Sequence, residues 1–535
     1  MERKTTKPRA CLRANPIHLW RILLALGMVW NSRVSAEPSL NEILDGCQYL
    51  HRGDIPADTF RPPASAVYVA ATGGNDSNSG TTISAPFAHL DKAILYANAH
   101  PSTPLTIYLR GGIHYFKGAP FDPYQQLTRG NLYITASPNE TATIRPYYWP
   151  GNPTESGNER AFLFFGPYQN ITFDRLRFEG WSVIFNPGSP LAGLAVRNLV
   201  IKNITATQFT RRNGEEGYPR IFIETAYLDD DVYGPGKIIF NNPETAKYQI
   251  DGLILSNISV QGVDLAINIG DENDANVKSM RVNRFNVVNP SRQAGDSAND
   301  AFAVVNSYKV LIDHCRIVNI NDDGMDFKAF NAAVVNCYVE GAGRNAVKFW
   351  RNGELINSIL YHVTDINDGA IIVKDGPFRM VNSVLLGHPV GYAATMGSDA
   401  PSTYSLEIVN SVFGECKAFY VNTAAFRAKN NRYFDILEDA NLVEGLVTAA
   451  NAAQLNALPN CSGNAISTNQ FTNPTSGDFS LKRGSPWLDA GTRQGVLLPS
   501  FDYLGNPRVF GAEVDIGPIE SRSSRVGATD WTLYD

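Results

Sequence analysis

One short phrase recurs along this chain: two apolar residues lead into a polar one, nearly always asparagine, and a small or apolar residue follows. It reads Val200-Ile201-Lys202-Asn203-Ile204, Ile254-Leu255-Ser256-Asn257-Ile258, Leu311-Ile312-Asp313-His314-Cys315, Val334-Val335-Asn336-Cys337, Leu355-Ile356-Asn357-Ser358, Met380-Val381-Asn382-Ser383 and Ile408-Val409-Asn410-Ser411. From His314 onward the polar anchors fall at 314, 336, 357, 382, 410 and 430, with Arg284 in the preceding place. Recurrence in steps of 20 to 30 residues is the mark of a solenoid. Each unit is β-branched and bounded by Gly, Asn or Asp, without a helical period, so it predicts strands and turns. A coil of two or three such strands is one turn of a parallel β-helix, each strand pairing with its equivalents about 4.8 Å above and below. The expected fold is all-β, a single-stranded right-handed parallel β-helix.

Stacking puts equivalent residues into columns. The asparagines predict a side-chain amide ladder at a tight bend, where Asn tolerates unusual backbone angles. The next column, Cys315, Cys337, Ser358, Ser383 and Ser411, is small and predicted to point inward. A solenoid also needs covered ends. The amphipathic stretch Leu90, Ala93, Ile94, Ala97 predicts an N-terminal capping helix, and residues 435–480 lose the repeat. The turn-rich tail, from Ser485-Pro486-Trp487 to Val514-Asp515-Ile516-Gly517, is expected to end the coil. The organisation is thus an N-terminal segment and cap over 37–115, the β-helix over 116–435 and an irregular C-terminal cap over 436–535, with an insertion at 209–250.

Residues 1–36 predict an export signal: a basic start, an apolar run over Leu23–Trp30 and a small-x-small site at Val34-Ser35-Ala36. They carry seven of the 46 Lys/Arg and one of the 52 acids, so their removal leaves 39 cations against 51 acids. With 18% charged residues and an acidic balance, nucleic acid is not an expected partner. A secreted monomer with no membrane contact beyond its signal is expected. Of the six cysteines, five lie beyond the signal. An odd number excludes complete pairing, which leaves Cys47 with Cys461 as one conceivable link between the ends.

The chemistry concentrates between Asp300 and Lys374. Asp300 lies 14 residues before His314 and Asp322 lies 14 before Asn336, which predicts one column on adjacent rungs; Asp323 and Asp326 follow at once. Four acids together repel unless one stays protonated or a cation sits among them. Calcium suits oxygen ligands in flexible geometry, and no His/Cys set offers itself for zinc. A solvated Asp-Asp-Gly turn is the alternative. Lys348 falls beside the acids on the next coil, with Arg344, Arg351 and Lys374 around it as candidate substrate-binding cations. Calcium and a lysine together suggest β-elimination on a uronic acid: the ion neutralises the sugar carboxylate and acidifies the neighbouring proton, and the amine removes it.

Both ends, over roughly 67–115 and 485–520, resemble segments of secreted right-handed β-helix proteins, among them the family 9 pectate lyases. That family carries one Asp on a rung, Asp-Asp-x-x-Asp on the next as its calcium site, and a lysine base further along. Asp300, Asp322, Asp323, Asp326 and Lys348 are similar in order, although the family's lysine stands in a Gly-Phe-Lys setting and this one in Val347-Lys348-Phe349. The resemblance implies a calcium-dependent lyase acting on an acidic polysaccharide. The chain also resembles the polygalacturonases in Asn299-Asp300, Asp322-Asp323 and Val373-Lys374, with Arg344-Asn345 where their His-Gly stands, which implies hydrolysis. A non-catalytic carbohydrate-binding or surface structural protein is the third reading. Other acids, Asp229 to Asp231 and Asp271, Glu272 and Asp274, are candidates for purely structural calcium.

Overall fold

A computed structural model describes residues 38–118, 127–147, 160–188, 195–210, 220–225, 243–244, 246, 248–270, 276–289, 300–364, 369–396, 403–436 and 441–521. The export signal, most of the 209–250 insertion and the structural-calcium candidates Asp229 to Asp231, Asp271, Glu272 and Asp274 lie outside them.

The repeat folds as expected, into a parallel β-helix whose coils present three sheets. Sheet 1 includes Phe302–Val305, Met325–Lys328, Val347–Phe349 and Ile371–Val373. Sheet 2 includes Lys309–Asp313, Ala332–Val335, Gly353–Ile356, Phe378–Val381, Leu406–Val409 and Phe426–Lys429. Sheet 3 includes Arg316–Ile320, Tyr338–Ala342 and Ile359–Tyr361. All these pairings are parallel. Inward positions alternate with outward ones, so Phe327 and Phe349 stack inside at 5.6 Å while Asp326 and Lys348 face out. The helix Leu90–Ala99 buries Leu90, Ala93, Ile94 and Ala97 against the first coils, as its apolar spacing requires.

The bend between sheets 2 and 3 explains the asparagines. Asn203, Asn257, Arg284, His314, Asn336, Asn357, Asn382, Asn410 and Asn430 all have φ between 48° and 55°. This left-handed conformation is one that Asn adopts at lower cost than most side chains. The continuous amide ladder does not form there: Asn257 donates to Asn203 at 2.7 Å and Asn336 meets His314 at 3.2 Å, but Asn357, Asn410 and Asn430 turn to the carbonyls of Phe501, Thr492 and Ala490. The ladder runs one residue further on instead. Each backbone N–H of Cys315, Cys337, Ser358, Ser383 and Ser411 meets the side chain one coil ahead, at 3.4, 3.1, 3.0, 3.2 and 2.9 Å, ending on Asn431. This column is buried, as its small residues predicted. Cys47 and Cys461 are both buried free thiols in separate clusters, so they form no link between the ends.

The two terminal segments run along the sides of the coil. Ile43, Leu44, Cys47, Leu50 and Ile55 pack on the outer face of sheet 2 over Leu311, Val335 and Ile356. Among the described residues of the expected cap, Ile436 and Leu442 to Cys461, with the short helix Ala452–Ala457, join the core at the C-terminal end. The tail beyond departs from the expectation that it ends the coil: Phe471, Phe479, Trp487 and Ile516 lie against Val318, Tyr338, Ile359 and Val412 of sheet 3. Arg508, buried, holds the tail's own turns by donating to the carbonyls of Asp515, Gly517 and Pro518. The reason is apolar: the outward faces of sheets 2 and 3 carry aliphatic and aromatic residues that need cover. These terminal clusters include no residue of sheet 1. Among the described residues no helix is long and apolar enough to cross a membrane.

Candidate functional site on sheet 1

Sheet 1 displays a cluster of acids, whereas the apolar outward residues of sheets 2 and 3 lie under the terminal segments. Phe302 pairs with Met325 and Ala303 with Asp326, and the N–H of Ala301 donates to the carbonyl of Asp323 at 2.9 Å. Asp300 is therefore level with Asp323. This corrects the column expected from sequence, which paired Asp300 with Asp322. Four residues separate Val305 from Val310, but three separate Lys328 from Ala332 on the next coil. Counting back from the bend thus slips by one, enough to exchange a side chain for its neighbour.

Carboxylate oxygens of Asp300, Asp323 and Asp326 all lie within 4.8 Å of one another, and Asp322 falls outside this set. Asp322, Asp323 and Asp326 are buried, which excludes the solvated Asp-Asp-Gly turn. Gly324 sits in that turn because the next coil approaches it: a Cβ would stand 2.6 Å from the carbonyl oxygen of Ala346. Asp300 accepts from the N–H of Asp323 at 3.2 Å, and Asp323 accepts from the N–H of Asn345 at 3.0 Å.

Lys348 pairs directly with Asp326 in the ladder. Its Nζ lies 3.5 Å from Asp323 Oδ2 and 3.8 Å from Asp326 Oδ2. Among the described residues the acids outnumber the two lysines, Lys348 and Lys328, whose charge acts on them. Burial, then the charges of Asp323, Asp326 and Asp322, push the Asp300 carboxyl up to about 8. Burial pushes Asp323 up to about 6 against the pull of Lys348, and raises Asp326 against Lys348 and Lys328. The indole N–H of Trp350 favours the charged Asp326 but falls short of hydrogen-bond geometry, so Asp326 Oδ1 stays buried without a partner. Asn345 Oδ1 is a second buried acceptor in that position, on the rung beside Asp323.

The other expected cations divide. Lys374 comes near Lys348, both nitrogens lying over the Trp350 ring at 5.7 and 5.3 Å. Arg344 starts the same rung as Lys348, its N–H donating to the carbonyl of Asp322 at 3.1 Å. Arg351 turns to Asp375 at 3.9 Å and lies over Phe330. Sequence reasoning passed over Asn345, Lys328 and Trp350. Outward alternation from Asp326 and Lys348 was the signal that could have found the last two.

Three carboxylates fit a hard cation. Six to eight oxygens at about 2.3–2.6 Å from one calcium lie within roughly 5 Å of each other, and the set has no sulfur or imidazole donor. The fold and this acid–lysine array define a parallel β-helix protein with a carboxylate site on sheet 1, outside the described terminal clusters.

No family model matches the chain, and no curated protein matches it in sequence. Among solved structures it is similar to pectate lyase Pel9A, with 14% identity, covering 86% of this chain and 96% of that one, at a TM-score of 0.35. It is similar to XylC in complex with xylose, with 10% identity, covering 85% and 98%, at 0.38. It is also similar to the A-module of mannuronan C-5 epimerase AlgE6 from Azotobacter vinelandii, with 12% identity, covering 71% and 95%, at 0.35.

Proposed function

We propose that this protein is a secreted carbohydrate-active enzyme that cleaves a uronic-acid-containing polysaccharide by calcium-dependent β-elimination, with Lys348 as the base. The observation that carries this reading is the crowding of Asp300, Asp323 and Asp326 within 4.8 Å, beside a lysine on the same ladder and on the sheet that takes no part in the described terminal clusters. Asp300, Asp323 and Asp326 would hold the ion, with Asp322 behind them. A calcium ion there would offset the acids' charge, bind a sugar carboxylate and acidify the adjacent C–H.

Asp323 and Asp326 position the Lys348 amine over the site, and a cation competing for their oxygens leaves that amine for the substrate. The Lys348 nitrogen takes the proton, the C–H electron pair becomes the new double bond, and the bond to the glycosidic oxygen breaks. Arg344, by its rung, is the cation for the leaving oxygen. Asn345 holds Asp323 from behind through its backbone N–H.

Hydrolysis has one observation in its favour: Asp300 at about 8 and Asp323 at about 6 are pushed apart in the way an acid and a base require. Their oxygens are closer than the roughly 6.5–9.5 Å that an inverting pair leaves for water, and the part of their upward shift that comes from neighbouring acids, after burial, is what a cation relieves. The deciding assay incubates the protein with a panel of uronans, with calcium and with chelator. Elimination yields unsaturated ends that absorb in the ultraviolet, lost on chelation. Reducing ends without that absorbance would instead establish hydrolysis, and neither product would leave a binding protein.

A further inference from the structure

Two positions along the strand from the acid column stands a second outward column that the elimination step does not use. Phe327 pairs with Phe349 and Phe349 with Val373, so the residues that follow, Lys328, Trp350 and Lys374, stack on successive rungs. The backbone confirms this, with the N–H of Trp350 donating to Phe327 O at 2.9 Å and that of Lys374 to Phe349 O at 2.8 Å. Lys328 Nζ lies 5.1 Å from the centroid of the half-buried Trp350 ring and Lys374 Nζ 5.7 Å, with Lys348 at 5.3 Å from the acid side.

Three ammonium groups around one indole are an expensive arrangement. Stacked rungs hold equivalent side chains about 4.8 Å apart, and each cation gains only about 0.5–1 kcal/mol from the ring at an exposed site. Lys348 has Asp323 and Asp326 as partners, and Lys328 feels the charge of Asp326. Lys374 has no carboxylate within ion-pair distance among the described residues, and its nitrogen lies over the indole. An acidic protein that gathers cations here, on the sheet that takes no part in the described terminal clusters, presents a local site for an anion with an apolar face. A uronate residue has both: a carboxylate on one edge and a face of ring C–H groups that packs on an aromatic ring.

We infer that Lys328, Trp350 and Lys374 form a subsite for one carboxylated sugar, next to the residue held at the acid cluster. The indole takes the sugar's apolar face, and Lys328 and Lys374 take its carboxylate from the rungs on either side. The two columns are two residues apart on one strand, about 7 Å, so a sugar on Trp350 lies beside the one held at the acid cluster. The inference rests on the reading of sheet 1 as a uronan-binding face, and it adds the feature that selects charged over neutral sugars.

The test measures binding without turnover. The full-length protein in chelator is titrated calorimetrically with polygalacturonate, alginate and hyaluronan, each beside its methyl-esterified neutral form. At least one acidic polymer binds and its ester does not. Lys328→Met and Lys374→Met each weaken binding about tenfold, the loss of one charge-assisted contact, and flatten its dependence on salt. Trp350→Ala weakens it further and Trp350→Phe restores part, with near-ultraviolet circular dichroism reporting that each variant is folded. Equal binding of ester and acid, unaltered binding by both lysine variants, or no binding by any polymer would overturn the subsite. Charge-dependent binding with no unsaturated product under any condition would instead overturn the elimination and leave the subsite standing.

Discussion

Two charged columns on the same solenoid are built in opposite ways. On the outer face of sheet 2, Glu354, Arg379, Glu407 and Arg427 stack on successive rungs with alternating sign. Arg379 lies 3.0 Å from Glu354 and 3.3 Å from Glu407, and Arg427 closes on Glu407 in turn. The Glu354 carboxylate also accepts the N–H groups of Gln48 and Tyr49, while Arg379 donates to the carbonyls of Gly46 and Leu497, so the column fastens both terminal segments. On sheet 1, Asp300 stacks on Asp323 with Asp326 beside them, and Lys348 is the cation within ion-pair distance of two of the three. At this spacing a pair of unit charges is worth roughly 3–4 kcal/mol for an effective dielectric near 20, so the sign of the neighbour decides whether a column holds itself together. The sheet 2 column is complete within the protein. The sheet 1 column asks for a cation from outside.

The largest expected effect breaks the site and spares the clasp. Lys348→Ala lowers the turnover of elimination by about 10²–10⁴, the range for loss of a positioned base, while calcium still raises the melting temperature. Full activity in Lys348→Ala with loss in Lys374→Ala would move the base one rung along. The converse change is Arg379→Met, which strands the buried Glu354 while Glu407 keeps Arg427, and costs about 3–5 kcal/mol in denaturant unfolding, with calcium affinity kept. A cost below about 1 kcal/mol, typical of exposed pairs, would mean that the terminal segments are held by their apolar contacts alone.

The two columns were unequally legible. The bend at Asn203, Asn257 and Asn336 and the small inner column from Cys315 to Ser411 were readable because each rests on a local rule, a left-handed backbone or a lack of room. The acids Asp300, Asp323 and Asp326 and Lys348 were readable as a neighbourhood, but their register was not. The coil of Asp300 carries one extra residue between sheets 1 and 2, and no local signal marks which of two adjacent acids a one-residue slip brings into line. The paths of the termini were also hidden, since Glu354 pairs with Gln48 across 306 positions and Phe501 reaches back to Asn357 across 144. Trp350 was overlooked because its role comes from Lys328 and Lys374 one coil away on each side.

The register difference gives the next prediction, of intermediate size. At calcium a hundredfold above its dissociation constant, binding to the native state alone stabilises by about 2.7 kcal/mol. Asp323→Asn abolishes that increment, because its oxygens belong to the crowded set; Asp322→Asn keeps most of it. Melting scans with and without calcium separate the two, and equal losses would restore Asp322 as a ligand of the same rank.

The last effect is a slope. With chelator present, native Asp300 titrates at about 8 and Asp323 at about 6, against 3.8 for the free carboxyl. Between about pH 4 and 8 the native state therefore holds protons that the unfolded chain has released, and stability falls as pH rises through that window. The usual paired carboxylate gives the opposite sign. Asp300→Asn removes the larger share of the slope, so in chelator at pH 8 this variant is more stable than the parent, while in calcium it is less stable because a ligand is gone. Calcium stabilisation of the parent grows from pH 5 to 8 as protons leave the oxygens the ion would occupy. A flat profile in chelator, unaltered by Asp300→Asn, would mean that the acids have relaxed apart in solution. The cation would then have no unfavourable charge to relieve, and the contrast with the alternating column of sheet 2 would lose its functional meaning.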